Sequence, residues 1–414
     1  MKKTPCSFRK NLALFKRATE VIPCGIAGHV SPALTVPGEF PYYAVSGQGC
    51  RYKDVDGNEY IDFMCGFGPV VLGYGHPRVD GAAAERRALG SVFNHPTPLA
   101  VELAEKLVSL VDGVDWATFA RNGSDVTSYS IMIAREHTRR KKILAVAGAY
   151  HGTHAWCVHG LNGLIPEDYA NVHRFPWNDV DALEALCRKY EGEVAAIVVT
   201  PFHHPAYGES VMPAPGFYEA LHRLRDRYDL VLISDDVRCG WRLDLAGSHK
   251  VFGFKPDLVC FCKAIANGHV ISALVGNNRV KAATARIYFA GSYFQGAAEM
   301  AAALACIDEL EKTEALPHMR RMGEMLWKGL EELASAHGLQ VRMSGHPAIP
   351  TMVFANERDF RRMQCWSAAC ARRGVFFHPH HNWFLMAAHQ EADIREALEV
   401  ADVGFGIVKK EFGG

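Results

Sequence analysis

Two side chains twenty-eight positions apart could act as a chemical pair. Lys263, in CFCKAIANG, follows an apolar run and precedes small residues and a glycine. A lysine at a strand end, with its stem out of water, can lose enough basicity to attack a carbonyl. Asp235 closes another apolar run, LVLISDDVRCGWR. In a parallel sheet both would emerge at the carboxyl edge, where open α/β sheets bind their ligands. Successive strand residues face opposite sides, so one of Asp235 and Asp236 enters such a site while the other turns away. A buried aspartate facing a pyridine nitrogen keeps that nitrogen protonated, and the ring then drains electrons from a substrate carbanion. Each residue has an ordinary alternative: a lysine can snorkel to solvent, and paired acids often cap the next helix or loop.

Two further segments sit at strand ends. Asn122, Gly123 and Ser124 lead directly into a helical pattern, where free backbone N–H groups and the positive helix end can hold a phosphate and Gly123 permits close approach. Gly-Ser before a helix is also a common cap. In AGAYHGTHAW, Tyr150 could lie flat on an aromatic ring with Gly152 giving room, although a Tyr-His pair in a turn is ordinarily packing. Taken together, the four segments suit one cofactor with a carbonyl, a ring nitrogen and a phosphate.

The elements that must position these residues are legible. From about residue 101 to 280, helical stretches alternate with the β-rich runs ATFAR, KILAVA, VAAIVVT, LVLISDD, LVCFCKA and SALVG. Near-continuous apolar runs suit strands covered by helices on both faces, hence a doubly wound α/β core. Helices are expected over 124–138, 180–190 and 215–228, and long amphipathic ones beyond 298. Asp-Gly-Asn within YKDVDGNEYIDF predicts a hairpin. The chain has 414 residues, enough for one large domain and a smaller one. Its 45 basic and 45 acidic residues cancel, so no global field draws it to nucleic acid or a membrane surface. The twelve cysteines lack disulfide or metal spacing. No secretory signal or apolar span is recognisable, and a soluble, cytoplasmic protein is expected.

On DVDGNEYIDF, LGYGHP, NGSD before a helix, AYHG, DDVRCGWR and KAIANG, the chain resembles the class III (fold type I) pyridoxal-phosphate-dependent aminotransferases over essentially its whole length. VIPCGIAGHVS, TPFHHP, GSYF and HPHHNWFLMAAH look most like the bacterial fumonisin-type amine aminotransferases, and glutamate-1-semialdehyde aminomutases are more distant look-alikes. The resemblance implies an α/β fold: a large doubly wound mixed-sheet domain plus a smaller α/β domain built from both termini. The expected layout is an N-terminal segment 1–65, a large cofactor domain 66–310 and a C-terminal small domain 311–414. It also implies that Lys263 is the Schiff-base lysine and proton shuttle. Asp235 pairs with the pyridine nitrogen, Val237 packs on the ring opposite Tyr150, and Gly123 and Ser124 hold the phosphate. Ser292 is implied to reach the neighbouring subunit's phosphate in a homodimer with shared active sites. The implied reaction moves an amino group from a primary amine, such as a long-chain amino polyol, to a keto acid such as pyruvate. An aminomutase and a non-catalytic pyridoxal-phosphate-binding module are the alternatives.

The chain departs from the family pattern at several positions. Asp236 stands where Glu is usual, Cys239 where Thr is common, and Thr200-Pro201 where Glu-Pro is usual. Gln295-Gly296-Ala297 replaces the Gly-Asn-Pro often found after the phosphate hydroxyl, which bears on the alignment of Ser292. Substrate choice is expected to lie with Ile26, His29 and Val30 and with His378 and His380. No arginine occurs between 374 and 390, which argues against an α-carboxylate clamp there and for an amine donor. His378, His380 and His381 lack a nearby acid and are read as a pocket wall, not a metal site.

Overall fold

A computed structural model describes residues 5–26, 31–158, 160, 162–205 and 208–413. The chain forms two compact units, one of Met1–His76, Tyr207–Glu209 and Pro317–Gly414, the other of Pro77–Ala206 and Ser210–Leu316. Strands among the described residues follow in chain order. β1 Ala44–Gln48, β2 Arg51–Asp54 and β3 Glu59–Asp62 belong to the first unit. β4 Trp116–Ala120, β5 Lys142–Val146, β6 Val172–Phe175, β7 Val194–Val199, β8 Val231–Asp235, β9 Leu258–Phe261 and β10 Ser272–Gly276 build the second. β11 Val341–His346, β12 Ile349–Phe354 and β13 Val375–Phe376 return to the first.

The large unit is a seven-stranded sheet of order β4-β10-β9-β8-β7-β5-β6. Strands β5 to β9 run parallel to one another, while β10 is antiparallel to both β9 and β4. The reversal follows from chain length: residues 262–271 alone join β9 to β10, too few for the helical crossover a parallel pair requires. Every expected β run is a strand. β6 was not anticipated, because VHRF mixes polar and apolar residues and lies at the sheet edge, where one side needs no apolar cover.

Alternation along the central strands feeds two cores. Ala196, Val198, Val231 and Ile233 pack with Val126, Tyr129 and Ile133 of the helix Gly123–Thr138. Ile197, Val199 and Leu232 pack with Phe217 and Leu221 of the helix Phe217–Tyr228 on the other face. Burying both faces is what allows these strands to read as unbroken apolar runs.

In the other unit β1, β2, β3 and β13 form one sheet, with β13 parallel to β3, and β11 and β12 pair as a hairpin. The expected Asp-Gly-Asn turn joins β2 to β3: Asp54 Oδ1 accepts the N–H groups of Asp56 at 3.0 Å and Asn58 at 2.9 Å, and Gly57 takes φ +89°. Trp366 lies at the centre of this core, against Phe377, Trp383 and Phe405. Among the described residues no helix is long and apolar enough to cross a membrane.

Candidate active site

The site grows from β8, the middle strand, flanked by parallel β7 and β9. Asp235 continues the face of Val231 and Ile233, so it lies on the side of the helix Gly123–Thr138. It is 4% exposed. Its Oδ2 meets His151 Nδ1 at 2.8 Å, and its Oδ1 accepts the Val237 N–H at 3.2 Å. A carboxylate is acceptor-only, so this contact assigns the Nδ1 proton to His151. Asp236 falls on the opposite face, where Oδ2 accepts the Ser248 N–H at 2.7 Å. Burial pushes its carboxyl up to about 8. The departure from Glu to Asp is thus a change in the packing behind the sheet.

Asp235 is in register with Cys260 on β9, which brings Lys263, three residues further along, to the same edge. The chain leaves β9 through Cys262 and enters a 3₁₀ turn at Lys263, whose φ of +39° is left-handed. A non-glycine residue held there stores backbone strain of about 1–3 kcal/mol, as functional positions often do. Lys263 is half-buried as a residue, and desolvation of its amine, reinforced by the charge of Arg238, lowers its pKa from 10.5 to about 7. Near neutrality Lys263 is therefore substantially an uncharged amine.

The helix Gly123–Thr138 starts beside these residues. The Asp125 carboxylate accepts the N–H groups of Asn122 at 2.7 Å and Arg121 at 3.2 Å, closing the helix start. Ser124 Oγ accepts the Thr153 N–H at 3.0 Å, tying the helix to the segment after β5. Two glycines keep this corner open. A Cβ at Gly152, where φ is +130°, would lie 2.5 Å from Ser124 Oγ and 3.0 Å from Ser124 Cα. One at Gly123 would lie 3.0 Å from the Val237 side chain. Tyr150, 41% exposed, has its hydroxyl pKa raised by burial and feels the charges of Arg238 and Asp235.

Lys263, Asp235, Val237, Gly123, Ser124 and Tyr150 thus share one edge of the large sheet. Ser292 is not joined to them: it is exposed, in the loop before the helix Ala297–Lys312, with no hydrogen bond to this group. His378 and His380 are buried in the other unit, where His378 Nδ1 accepts the His380 N–H at 3.0 Å and His380 Nε2 faces Gln364 at 3.0 Å. Ile26 is half-buried there. His29 and Val30 lie outside the described residues. Sequence reasoning passed over His151 and Arg238. Their only signal is position, one residue after Tyr150 and three after Asp235, each past the end of a β run.

The aminotransferase class-III family profile matches residues 36–389. The chain is 38% identical over 399 residues to the aminopentol aminotransferase of Sphingopyxis macrogoltabida, covering 96% of this chain and 94% of that one. It is 33% identical over 406 residues to the 3-aminobutyryl-CoA aminotransferase of Cloacimonas acidaminovorans (strain Evry), covering 97% and 98%. The solved structure of the PLP-bound FumI protein of Sphingopyxis sp. MTA144 superposes with a TM-score of 0.95 at 37% identity, covering 98% of each chain.

The residues present fit pyridoxal phosphate. A primary amine of lowered basicity, a buried carboxylate and a helix start opened by two glycines are the groups its aldehyde, ring nitrogen and phosphate need. With that fit and with a family match spanning most of its length, the chain belongs to the class-III aminotransferases and is a pyridoxal-phosphate-dependent enzyme.

Proposed function

We propose that the enzyme transfers the amino group of an extended primary amine, of the long-chain amino polyol type, to a keto acid such as pyruvate, with Lys263 as its catalytic base. The observation that carries this reading is the convergence of Asp235 and a lysine of depressed pKa on one sheet edge. Pyridoxal phosphate supplies an aldehyde that condenses with amines and a ring that withdraws electrons from the attached carbon. Lys263 Nζ, carrying a lone pair near neutral pH, takes the proton from the amine-bearing carbon of the donor and returns it on the product side. Asp235, braced by His151 and the Val237 amide, presents fixed negative charge to the ring nitrogen. Val237 and Tyr150 would pack on the two ring faces, and Gly123 and Ser124 at the helix start would hold the phosphate.

Two considerations support an amine donor. Neither similar enzyme's name, aminopentol nor 3-aminobutyryl-CoA aminotransferase, denotes an α-amino acid. The stretch 374–390 also offers no guanidinium to pair with an α-carboxylate. Ile26, His29 and Val30 would line the substrate entrance. We assign His378 and His380 to holding the turn that forms the pocket wall, since their rings are engaged within their own unit.

We further propose a homodimer in which Ser292 serves the partner's phosphate site. Its exposure supports this, as does the exposed apolar surface of Leu89, Phe93, Tyr288 and Tyr293 in the same unit. Twelve free thiols suit a reducing compartment, and we place the enzyme in the cytoplasm.

The test is an amine-donor screen, including long-chain amino polyols, with and without pyruvate. Turnover that requires the acceptor supports transamination, and turnover without it would make the enzyme an aminomutase. Full activity in Lys263→Ala would remove the base assignment.

A further inference from the structure

His151 donates its Nδ1–H to Asp235, and in the neutral ring that tautomer places the lone pair on Nε2. That nitrogen is buried and has no hydrogen-bond partner among the described residues. Nδ1 of His203 is in the same condition, and its ring is 9% exposed. The two imidazoles lie on neighbouring segments at the carboxyl edge, His151 after β5 and His203 after β7, and these strands are paired. Burial, reinforced by the positive charge of Arg238, drives the His203 pKa from 6.5 to about 4. His203 is therefore neutral at working pH and retains one N–H to give.

Both rings are built into place. Thr200, standing where Glu is usual, donates its hydroxyl to the Phe202 carbonyl at 2.8 Å. His203 exchanges backbone hydrogen bonds with Val211 at 2.9 and 2.7 Å. Trp177 lies near-parallel to His203 at 5.8 Å between centroids, and Trp156 near-parallel to His151 at 6.0 Å. Two indoles thus shield two nitrogens that lack partners. Leaving a buried polar atom unsatisfied costs about 1–3 kcal/mol, and one enclosed water can satisfy several such atoms.

We propose that His203 is a positioning residue for the cofactor carboxylate. Its Nδ1–H donates to a single buried water, the water donates to His151 Nε2, and His151 is thereby locked as the Nδ1–H tautomer that holds Asp235. The chain of contacts is His203, water, His151, Asp235, and no proton is transferred along it. This inference rests on Asp235 serving pyridoxal phosphate.

The test uses the holoenzyme and its His203→Phe and His203→Gln variants, with two readouts besides activity. In ¹⁵N-histidine-labelled holoenzyme, the His151 Nδ1–H proton should give a strongly downfield resonance. It should broaden or vanish in His203→Phe and persist in His203→Gln, whose amide can still donate to the water. The rate of pyridoxal phosphate loss should rise roughly tenfold in His203→Phe, the equivalent of one lost hydrogen bond of about 1.4 kcal/mol, and recover in His203→Gln. An unchanged resonance and release rate in a folded His203→Phe would overturn the proposal. So would a high-resolution structure of the unmodified holoenzyme with no water between the two rings, which decides the matter even if His203→Phe does not fold. Failure of the unmodified protein to bind pyridoxal phosphate would instead strike the functional reading beneath it.

Discussion

Replacing Lys263 by methionine should make the cofactor-free protein more stable, and by an amount that depends on pH in a defined way. Folding takes the ammonium into a setting where its pKa falls from 10.5 to about 7. At about 1.4 kcal/mol per pH unit, that depression corresponds to roughly 4 to 5 kcal/mol of penalty when the group is charged in both states. Between the two pKa values the unfolded chain holds a proton that the folded chain does not, so wild-type stability rises with pH across that window. Below about 7 both states are protonated and the penalty is complete. Lys263→Met removes the titrating group and keeps most of the buried stem. Urea unfolding of both cofactor-free proteins from pH 6 to 9.5 reads the effect as a difference, which cancels the titration of other groups. The variant should be more stable by several kcal/mol at pH 6 to 7, with its advantage shrinking by about 1.4 kcal/mol per unit from pH 7 upward. An advantage that is the same at pH 6 and pH 9 would mean that the lysine is not depressed, and the account of its lone pair would fall.

Other expectations follow from the same geometry. The Asp236 carboxyl, raised by burial from 3.8 to about 8, favours the protonated folded state, so its contribution is full at low pH and is lost as pH climbs toward 8. Asp236→Asn should therefore gain on wild type in thermal stability between pH 4 and 8 and leave cofactor affinity unchanged, checked by melting temperature and by pyridoxal phosphate titration. Gly152→Ala would set a methyl group 2.5 Å from Ser124 Oγ at a φ of +130°. It should weaken pyridoxal phosphate binding by at least about tenfold, with the fold retained by circular dichroism. On the proposed homodimer, Ser292→Ala should raise the cofactor dissociation constant several-fold without changing the sedimentation of the protein in analytical ultracentrifugation, the effect of losing one hydroxyl contact worth about 1 kcal/mol.

Much of the large sheet was legible because its strands are buried on both faces and leave unbroken apolar runs. Lys263 and Asp235 could be placed on one edge because each ends such a run. β6 escaped because an edge strand such as VHRF needs no continuous apolar signature. The reversed direction of β10 is a matter of linker length rather than of residue type. The division between units falls at His76 and Leu316, later than the expected 65 and 310, because no composition break marks where packing partners change. His151 and Arg238 were missed for a related reason. Their importance comes from tertiary neighbours, a carboxylate at 2.8 Å for one and a lysine ammonium for the other, that no local pattern announces. His378 and His380 are buried, and the bonds that hold them, the His380 N–H to His378 Nδ1 and His380 Nε2 to Gln364, are not visible in their spacing.

The most direct test of the central claim is optical. Purified enzyme loaded with pyridoxal phosphate should show a visible absorption band that bleaches when an amine donor is added and returns when pyruvate follows, and Lys263→Ala should not complete that cycle. A protein that stays colourless with the cofactor, or a Lys263→Ala variant that cycles like wild type, would contradict it.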